Sequence, residues 1–404
     1  MTIRILLICT HPKQYTGYSK VVYELLKELV KYPDLLITVY GFQKFFNSED
    51  TYRNIESPNL FIYDAAAHEN PKDVGFGINQ IVDFIQINKP DVVFIYNDLF
   101  IICNFLNVLH TLKNKTFKTI AYIDQVYPYQ KENYIDIINN TVDLSFVFTE
   151  YWKNTILEQN LKTPCKIMRH GFNSETFYPI DKMEARKALV IPEDYFVILN
   201  LNRNQPRKRY DILLIAYAKF ISMNPDERIL LIVGCVLEKE WDLLAILKRE
   251  LARYNIHNFI DYIKAVENPQ NRPDEYINML YNASDIGINT CDGEGFGLCN
   301  FEHAGVGRPQ IINHVGGFLD FFNSDNSIPI KPRWRYYIDG TRDGIGGEGS
   351  VCDPDDITGA MNTYYHDEKL RNTHGKAARL VILKYKWEDE VAALYDGIKE
   401  CITN

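Results

Sequence analysis

Asp292-Gly293-Glu294-Gly295-Phe296-Gly297-Leu298-Cys299-Asn300-Phe301-Glu302-His303-Ala304-Gly305-Val306-Gly307-Arg308-Pro309 is the stretch that decides how this chain folds. Three glycines alternate with acidic and aromatic residues, a short helical pattern follows, and the pattern stops at Gly307-Arg308-Pro309. Ahead of it, Asp285–Asn289 reads as a short buried strand; behind it, Gln310–Asn313 reads as another. Strand, glycine loop, helix start and second strand are the parts from which an open α/β sheet builds a ligand site at the carboxyl ends of its strands. Gly293, Gly295 and Gly297 permit close backbone approach, and the free N–H groups near Gly297 and Leu298 at a helix start favour a phosphate. Glu302 lies one turn into the helix with its side chain leaning back toward that start, where it can accept two hydrogen bonds from a vicinal diol such as a ribose. Glu294 stands on the other side, free to accept from a second polyhydroxyl group. One phosphate between two such carboxylates describes a nucleotide sugar. A structural capping loop explains the glycines but not both carboxylates.

A cation for that phosphate is offered further upstream. The apolar strand Tyr195–Leu201 ends in Asn202-Arg203-Asn204-Gln205-Pro206-Arg207-Lys208-Arg209, and a helix with Leu213, Leu214, Ala216, Tyr217 and Phe220 on its buried side follows. Basic residues between a strand end and a helix start put positive charge where backbone N–H groups already favour an anion. A solvated basic turn is the plainer alternative.

The first half of the chain repeats the alternation. Ile3–Cys9 is a nearly continuous apolar run, as in a central parallel strand. It leads through a polar loop containing Gly17 to a helix with Val21, Val22, Leu25, Leu26 and Leu29 at helical spacing and Ser19 as its N-cap. Leu36–Phe42, Asn59–Tyr63, Asp91–Tyr96, Thr119–Ile123, Leu144–Phe148 and Lys166–Met168 read as further strands, making one doubly wound domain of about seven strands. Gly17, Asp124-Gln125 and His170-Gly171 fall at carboxyl ends of strands, where a site residue or an ordinary turn former would equally stand. Alternation lapses near Phe177–Asp181, the natural domain boundary. Beyond it Ile229–Cys235, Phe259–Ile263 and the helices Glu238–Tyr254 and Asp274–Asn282 continue a second domain. Val315-Gly316-Gly317 marks a tight turn. Residues 325–350, rich in Pro, Gly, Tyr and charge, read as an inserted loop or β excursion of the kind that forms lids. Asp353-Pro354-Asp355-Asp356 reads as a helix cap before it reads as a metal site.

At 404 residues, two domains are expected. A hydrophobic content of 46% with 24% charged residues describes a globular protein, and a net charge of −9 argues against nucleic acid or a polybasic membrane anchor as partner. No signal peptide or membrane span is expected, because Met1–Cys9 runs straight into His11-Pro12-Lys13 and the apolar region Asp91–Leu109 is interrupted by Asn97, Asp98 and Asn104. The eight cysteines are scattered without a C-x-x-C or a metal-ligand spacing, which suits a reduced, cytoplasmic setting.

Glu294 through Glu302 resembles the E-x7-E motif of retaining glycosyltransferases of the GT-B fold, in particular glycosyltransferase family 4. The likeness runs along nearly the whole chain, through the Gly17 loop, His170–Pro179, Arg203–Lys208, Val315–Gly317 and the Trp387 helix. It implies two Rossmann-like, doubly wound α/β domains facing across a cleft: an acceptor-side domain over 1–178, a nucleotide-sugar donor domain over 179–385 with the insertion at 325–350, and a C-terminal helix over 386–404 crossing back to the first domain. It implies that Arg203 and Lys208 neutralise the donor diphosphate and that Glu294 contacts the transferred sugar. Glu302 would contact the ribose, the N–H groups of Gly295, Phe296, Gly297 and Leu298 the sugar and phosphate, and Gly17 would let the opposite loop reach the diphosphate. The implied reaction is retaining transfer of a hexose from a nucleotide-diphosphate sugar, GDP-mannose ahead of UDP-glucose, to a hydroxyl of a glycan, lipid or other acceptor, with no metal and no permanently bound cofactor. Many family members carry a His-Asp pair after a middle strand of the first domain. Here that segment reads Tyr122-Ile123-Asp124-Gln125, so Asp124 stands alone for acceptor activation. The missing histidine keeps open a second reading, a nucleotide-sugar-binding or scaffold protein that kept the fold and lost the chemistry. A dinucleotide oxidoreductase is remote, since no G-x-G-x-x-G follows the first strand.

Overall fold

A computed structural model describes residues 2–44, 53–70, 72, 74–112, 115–225, 228–339 and 345–403. Residues 340–344 of the 325–350 insertion therefore lie outside the described residues. The chain divides into two compact units, Met1–Gly171 with Lys386–Asn404, and Phe172–Tyr385.

The first unit is built on seven strands: β1 Ile3–Thr10, β2 Leu35–Phe42, β3 Leu60–Asp64, β4 Val92–Asp98, β5 Lys118–Asp124, β6 Leu144–Val147 and β7 Cys165–Ile167. They pair in parallel in the order β3-β2-β1-β4-β5-β6-β7. β1 is buried at every position but Arg4, because helices cover both faces of such a sheet and leave no polar side. The winding direction reverses between β1 and β4, so ligands of a sheet like this gather outside the carboxyl ends of those two strands. There the helix Gly17–Leu29 begins. Its cap is Thr16, whose hydroxyl accepts from Ser19 N at 3.1 Å while Ser19 Oγ accepts from Thr16 N at 3.0 Å. Ser19 is thus the reciprocal partner three residues inside the helix rather than the cap itself, and Gly17 is the first helical residue. The C-terminal helix Trp387–Thr403 belongs to this unit: Trp387 stacks on His170, Arg169 N donates to Glu390 at 2.7 Å, and Tyr395 OH donates to Asp34 at 2.7 Å.

The second unit carries β8 Phe196–Asn200, β9 Ile229–Val233, β10 Ile263–Ala265, β11 Ile286–Asn289, β12 Gln310–Asn313 and β13 Ile328–Ile330, parallel in the order β10-β9-β8-β11-β12-β13. Its core joins Ile198, Leu231, Val233 and Ile288 of the strands to Leu213, Tyr217, Leu247 and Ile357 of the covering helices, each wholly buried. Burying an aliphatic side chain of this size stabilises a fold by about 1.5–3 kcal/mol. Here the winding reverses between β8 and β11, so the loops after these two strands flank the ligand position. Those loops are the basic segment and the glycine motif.

Three segments differ from expectation. The strand expected over Phe259–Ile263 starts only at Ile263, because Tyr217 OH binds the carbonyl of Tyr262 at 2.7 Å and residues Ile260–Tyr262 close into a 3-10 turn. The helix expected from Glu238 begins at Leu243, where Asp242 caps it by accepting from Ala245 N at 2.9 Å. The segment after Gly171 packs with the second unit rather than the first: Phe172 N donates to Tyr385 O at 2.7 Å, and the Phe172 and Phe177 rings lie against Phe301 and Tyr281. The 325–350 insertion begins as edge strand β13 and continues as an antiparallel hairpin of β14 Trp334–Tyr337 and β15 Glu348–Val351. Asp353 caps the helix Pro354–His366, its side chain accepting from Asp355 N at 2.9 Å. Among the described residues no helix is long and apolar enough to cross a membrane, and the cysteines form no disulfide.

Candidate active site

The loop after β8 is held from end to end. Asn200 Oδ1 accepts from Asn202 N and Nδ2 at 3.0 and 2.6 Å, and Asn204 Nδ2 donates to Val236 O and Trp241 O at 3.0 and 2.8 Å. Pro206 opens a 3-10 turn through Lys208, and Arg209 follows at φ +50°. The left-handed conformation is uncommon for arginine. Here Asp211 accepts two guanidinium hydrogen bonds from Arg209, at 2.9 and 2.8 Å, and the end of β11 grips the same backbone through Thr290, whose hydroxyl donates to Lys208 O and Arg209 O at 3.1 Å. Asp292 N donates to Arg207 O at 2.9 Å. The basic loop and the glycine motif are therefore one structure.

Their side chains meet at Glu294. Lys208 Nζ lies 2.5 Å from Glu294 Oε2, Arg207 lies 3.5 Å from Oε1, and Asn289 Nδ2 reaches Oε2 at 3.4 Å. Burial alone would raise the carboxyl pKa, but Lys208 and Arg207 outweigh it and hold Glu294 down at about 2, from an ordinary 4.5. Behind it runs a buried amide chain: Asn289 donates to Asn300 and Asn300 to Gln310, each at 2.9 Å. Lys208, Arg207 and Glu294 are thus brought together. Arg203 stands exposed earlier in the same loop.

Gly297 begins the helix Leu298–Gly305 at φ +84°, and no side chain caps that helix start. A Cβ there would lie 2.1 Å from the Phe318 ring, so both backbone and packing require glycine. Gly317 is required by close approach: a Cβ would meet Gly295 O at 2.3 Å, and Gly317 N donates to Glu294 O at 3.1 Å. The Val315–Gly317 turn is therefore the floor of the glycine loop. Phe296 turns its ring into the core against Phe301 and Phe321, leaving only its backbone to the loop. Glu302 is buried and accepts from Tyr281 OH at 3.0 Å on Oε2. His303 stacks on Tyr281 and shares a 2.8 Å hydrogen bond with Ser284, and burial brings its pKa down to about 3, so it is a neutral packing residue. Among the described residues no group of three or more His, Cys, Asp or Glu side chains is arranged to hold a metal ion.

In the first unit, Asp124 ends β5 beside Asp98 of β4 and accepts from Tyr18 OH at 2.5 Å. Tyr18 follows Gly17, so the helix start is tied to the carboxylate at the strand end. Among the described residues nothing lies within 4 Å of where a Gly17 Cβ would stand, so no packing contact there calls for a glycine. His170 is enclosed by the rings of Phe148, Tyr122, Tyr96 and Trp387, and burial pushes its pKa down to about 3. It packs the unit in neutral form.

Sequence reasoning missed Arg207 as a direct partner of Glu294, Tyr281 behind Glu302, and Tyr18 behind Asp124. The first was within sight in the basic run. The tyrosines carry no local signal, since their partners are far away in sequence.

Comparison with known proteins bears on the family and the fold. Residues 181–381 match the family described as glycosyl transferases group 1. A protein of Catenulispora acidiphila named D-inositol 3-phosphate glycosyltransferase 2 is 33% identical over 36% of this chain and 34% of its own length. The first relatives are matched over about a third to a half of their length. Among solved structures, sucrose-phosphate synthase of Thermosynechococcus elongatus superposes with a TM-score of 0.76 at 16% identity, covering 99% of both chains. Anabaena HepE in complex with UDP and glucose gives 0.72 at 13% identity, over 98% of this chain and 100% of that one. At such identities the structures speak for the fold alone. Family match, paired parallel sheets and structural likeness converge: the chain belongs to the group 1 glycosyl transferases and has the GT-B fold.

Proposed function

We propose that the chain transfers a hexosyl group from a nucleoside diphosphate sugar to a hydroxyl acceptor with retention of configuration and without a metal. The observation that carries this is the meeting of Glu294 with Lys208 and Arg207 beside an uncapped helix start that also bears Glu302. In the reaction, the bond between the anomeric carbon and the diphosphate oxygen breaks, leaving negative charge on that oxygen and positive character on the sugar. Lys208 and Arg203, joined by Arg207, and the N–H groups of Gly295, Phe296, Gly297 and Leu298 stabilise the leaving diphosphate. Each such contact is typically worth about 2.7–4 kcal/mol of barrier. Glu294 accepts from hydroxyls of the transferred sugar, and Glu302 from the ribose. Within the first unit, Asp124 is the candidate for acceptor activation. The acceptor oxygen attacks from the face the diphosphate leaves, and its proton passes to the departing phosphate oxygen.

Nothing in the residues selects GDP-mannose, which the sequence reading placed first. The UDP and glucose bound in HepE make UDP-glucose the better first donor to test, and the names of the relatives make D-inositol 3-phosphate a first acceptor to test. The test is thermal shift with UDP-, GDP- and ADP-sugars, followed by NMR of the anomeric product. Donor at a hundredfold its dissociation constant should add about 2.7 kcal/mol of stability. Glu302→Ala should weaken that binding, and chelator should leave turnover unchanged. No shift with any of the three donor classes sinks the proposal. Binding without turnover over a broad acceptor panel favours the impaired, binding-only reading.

A further inference from the structure

Asp292, at the head of the glycine motif, is a junction of three segments. Its N–H donates to Arg207 O at 2.9 Å, tying it to the basic loop. Its carbonyl accepts from Ser350 N at 2.8 Å, tying it to β15 of the inserted hairpin. Its carboxylate, with no exposed side-chain surface, accepts from the hydroxyl of Tyr336 on β14 and lies 3.9 Å from Arg209. Asn313 at the end of β12 fastens the same junction, donating to Cys291 O at 2.7 Å and Ser350 O at 2.8 Å. The hairpin is therefore fixed to the strand end from which both Glu294 and the Arg207–Lys208 turn are suspended. Its other face, which carries Arg335 and Tyr337, is open, with Tyr337 84% exposed. An excursion that only lengthened a surface loop would not place a hydroxyl on a buried carboxylate two residues from Glu294.

We propose that Tyr336 is a positioning residue for nucleoside diphosphate binding: through Asp292 it fixes the glycine loop relative to the basic loop, so that strands β14 and β15 set the affinity of the site. This rests on the proposed function. Tyr336 touches no substrate. It holds Asp292, whose N–H fixes the Arg207 carbonyl, and so determines where the Arg207 guanidinium stands. Without the hydroxyl, the Asp292 carboxylate loses the partner that ties it to the hairpin, and the turn from Pro206 to Lys208 loses one of its supports.

The test is calorimetry on the full chain with UDP, GDP and ADP, the tightest of the three serving as probe. Tyr336→Phe removes one hydrogen bond to a charged group, and binding should weaken about tenfold while the melting temperature stays within a few degrees. Placed on Arg207→Gln, the same substitution should change affinity less than about twofold, because the group it positions is gone. Tyr337→Phe, on the exposed face of the same strand, should leave affinity unchanged. Should Tyr336→Phe fail to fold, Asp292→Asn, which keeps the shape and weakens the same bond, is read in its place. Unchanged affinity in Tyr336→Phe, a full tenfold loss surviving on Arg207→Gln, or an equal loss from Tyr337→Phe each overturns the inference. Absence of wild-type binding to all three nucleotides overturns the proposed function as well, whereas wild-type binding with an unaffected Tyr336→Phe removes the inference alone.

Discussion

Lys208→Ala is the change to which the second unit should respond most informatively. Lys208 and Glu294 are each 8% exposed at the side chain, with 2.5 Å between Nζ and Oε2, so solvent screens the pair only slightly. Removing one partner from a buried ion pair costs about 3–5 kcal/mol, most of it the desolvation of the charge left behind. Arg207 at 3.5 Å and Asn289 at 3.4 Å still attend to Glu294, so the loss should be about 2–3 kcal/mol. For a unit of this size that is a fall in melting temperature of about 5–10 °C. The pH dependence gives a sharper signature. In the wild type Glu294 is held at about 2, below its ordinary 4.5, so the pair's contribution is complete above pH 4.5 and is lost as the pH falls toward 2. Without Lys208, burial carries the carboxyl pKa upward, and the variant relieves its buried charge by protonation at higher pH. The difference between wild type and variant should therefore be largest near neutrality and shrink toward pH 4. Urea unfolding of both proteins at a series of pH values measures it, and Lys208→Met with Glu294→Gln should restore most of the loss. A difference under about 0.5 kcal/mol at pH 7, or one that does not change with pH, refutes the account of the pair.

His170 and His303 are both held neutral at about 3 from an ordinary 6.5, so their share of stability is full above pH 6.5 and drains away as the pH falls toward 3. Each should cost about 1.4 kcal/mol per pH unit below 6.5; His170→Phe should flatten the slope of unfolding free energy between pH 6 and 4, and an unchanged slope would show that burial is not what keeps the ring neutral. Gly297→Ala places a side chain at φ +84° and 2.1 Å from the Phe318 ring, which should cost about 2–4 kcal/mol and weaken donor binding. A melting temperature equal to wild type rules out that close approach.

The parallel strands could be read from sequence because a strand covered on both faces writes a continuous apolar run, as Ile5–Cys9 and Ile229–Val233 do. The glycine motif was legible for a similar reason, since its function needs backbone room and only glycine supplies it. What was not legible depends on direction rather than composition. Of the basic residues between Arg203 and Arg209, those that reach Glu294 are set by a 3-10 turn at Pro206 and a left-handed Arg209, and a residue count does not show which way such a turn points. Tyr281, Tyr18 and Tyr336 each touch a carboxylate 21 to 106 positions away, where periodicity carries no information. His170 reads like a site residue at a strand end and proves to be enclosed by four aromatic rings that arrive from separate strands and from the last helix.

The ion pair also bears on how the proposed reaction is powered. Without donor, Lys208 and Arg207 already face a carboxylate, so the cations assigned to the diphosphate are occupied by Glu294. A donor that places its diphosphate near Lys208 must draw that ammonium partly away, and Glu294 must find other donors, which the hydroxyls of the transferred sugar can supply. Ground-state binding is then an exchange of one set of hydrogen bonds for another, with a small net gain. As the glycosidic bond breaks, charge moves onto the phosphate oxygen and the exchange becomes uneven: Lys208 is drawn to the growing negative charge, and the anionic Glu294 is left beside a sugar that is turning positive. Both changes favour the transition state over the bound substrate, which is the condition for a site to accelerate a reaction rather than merely hold its donor. On this reading the Lys208–Glu294 contact keeps the cations in place before the donor arrives, and its loosening in the transition state is part of the catalysis.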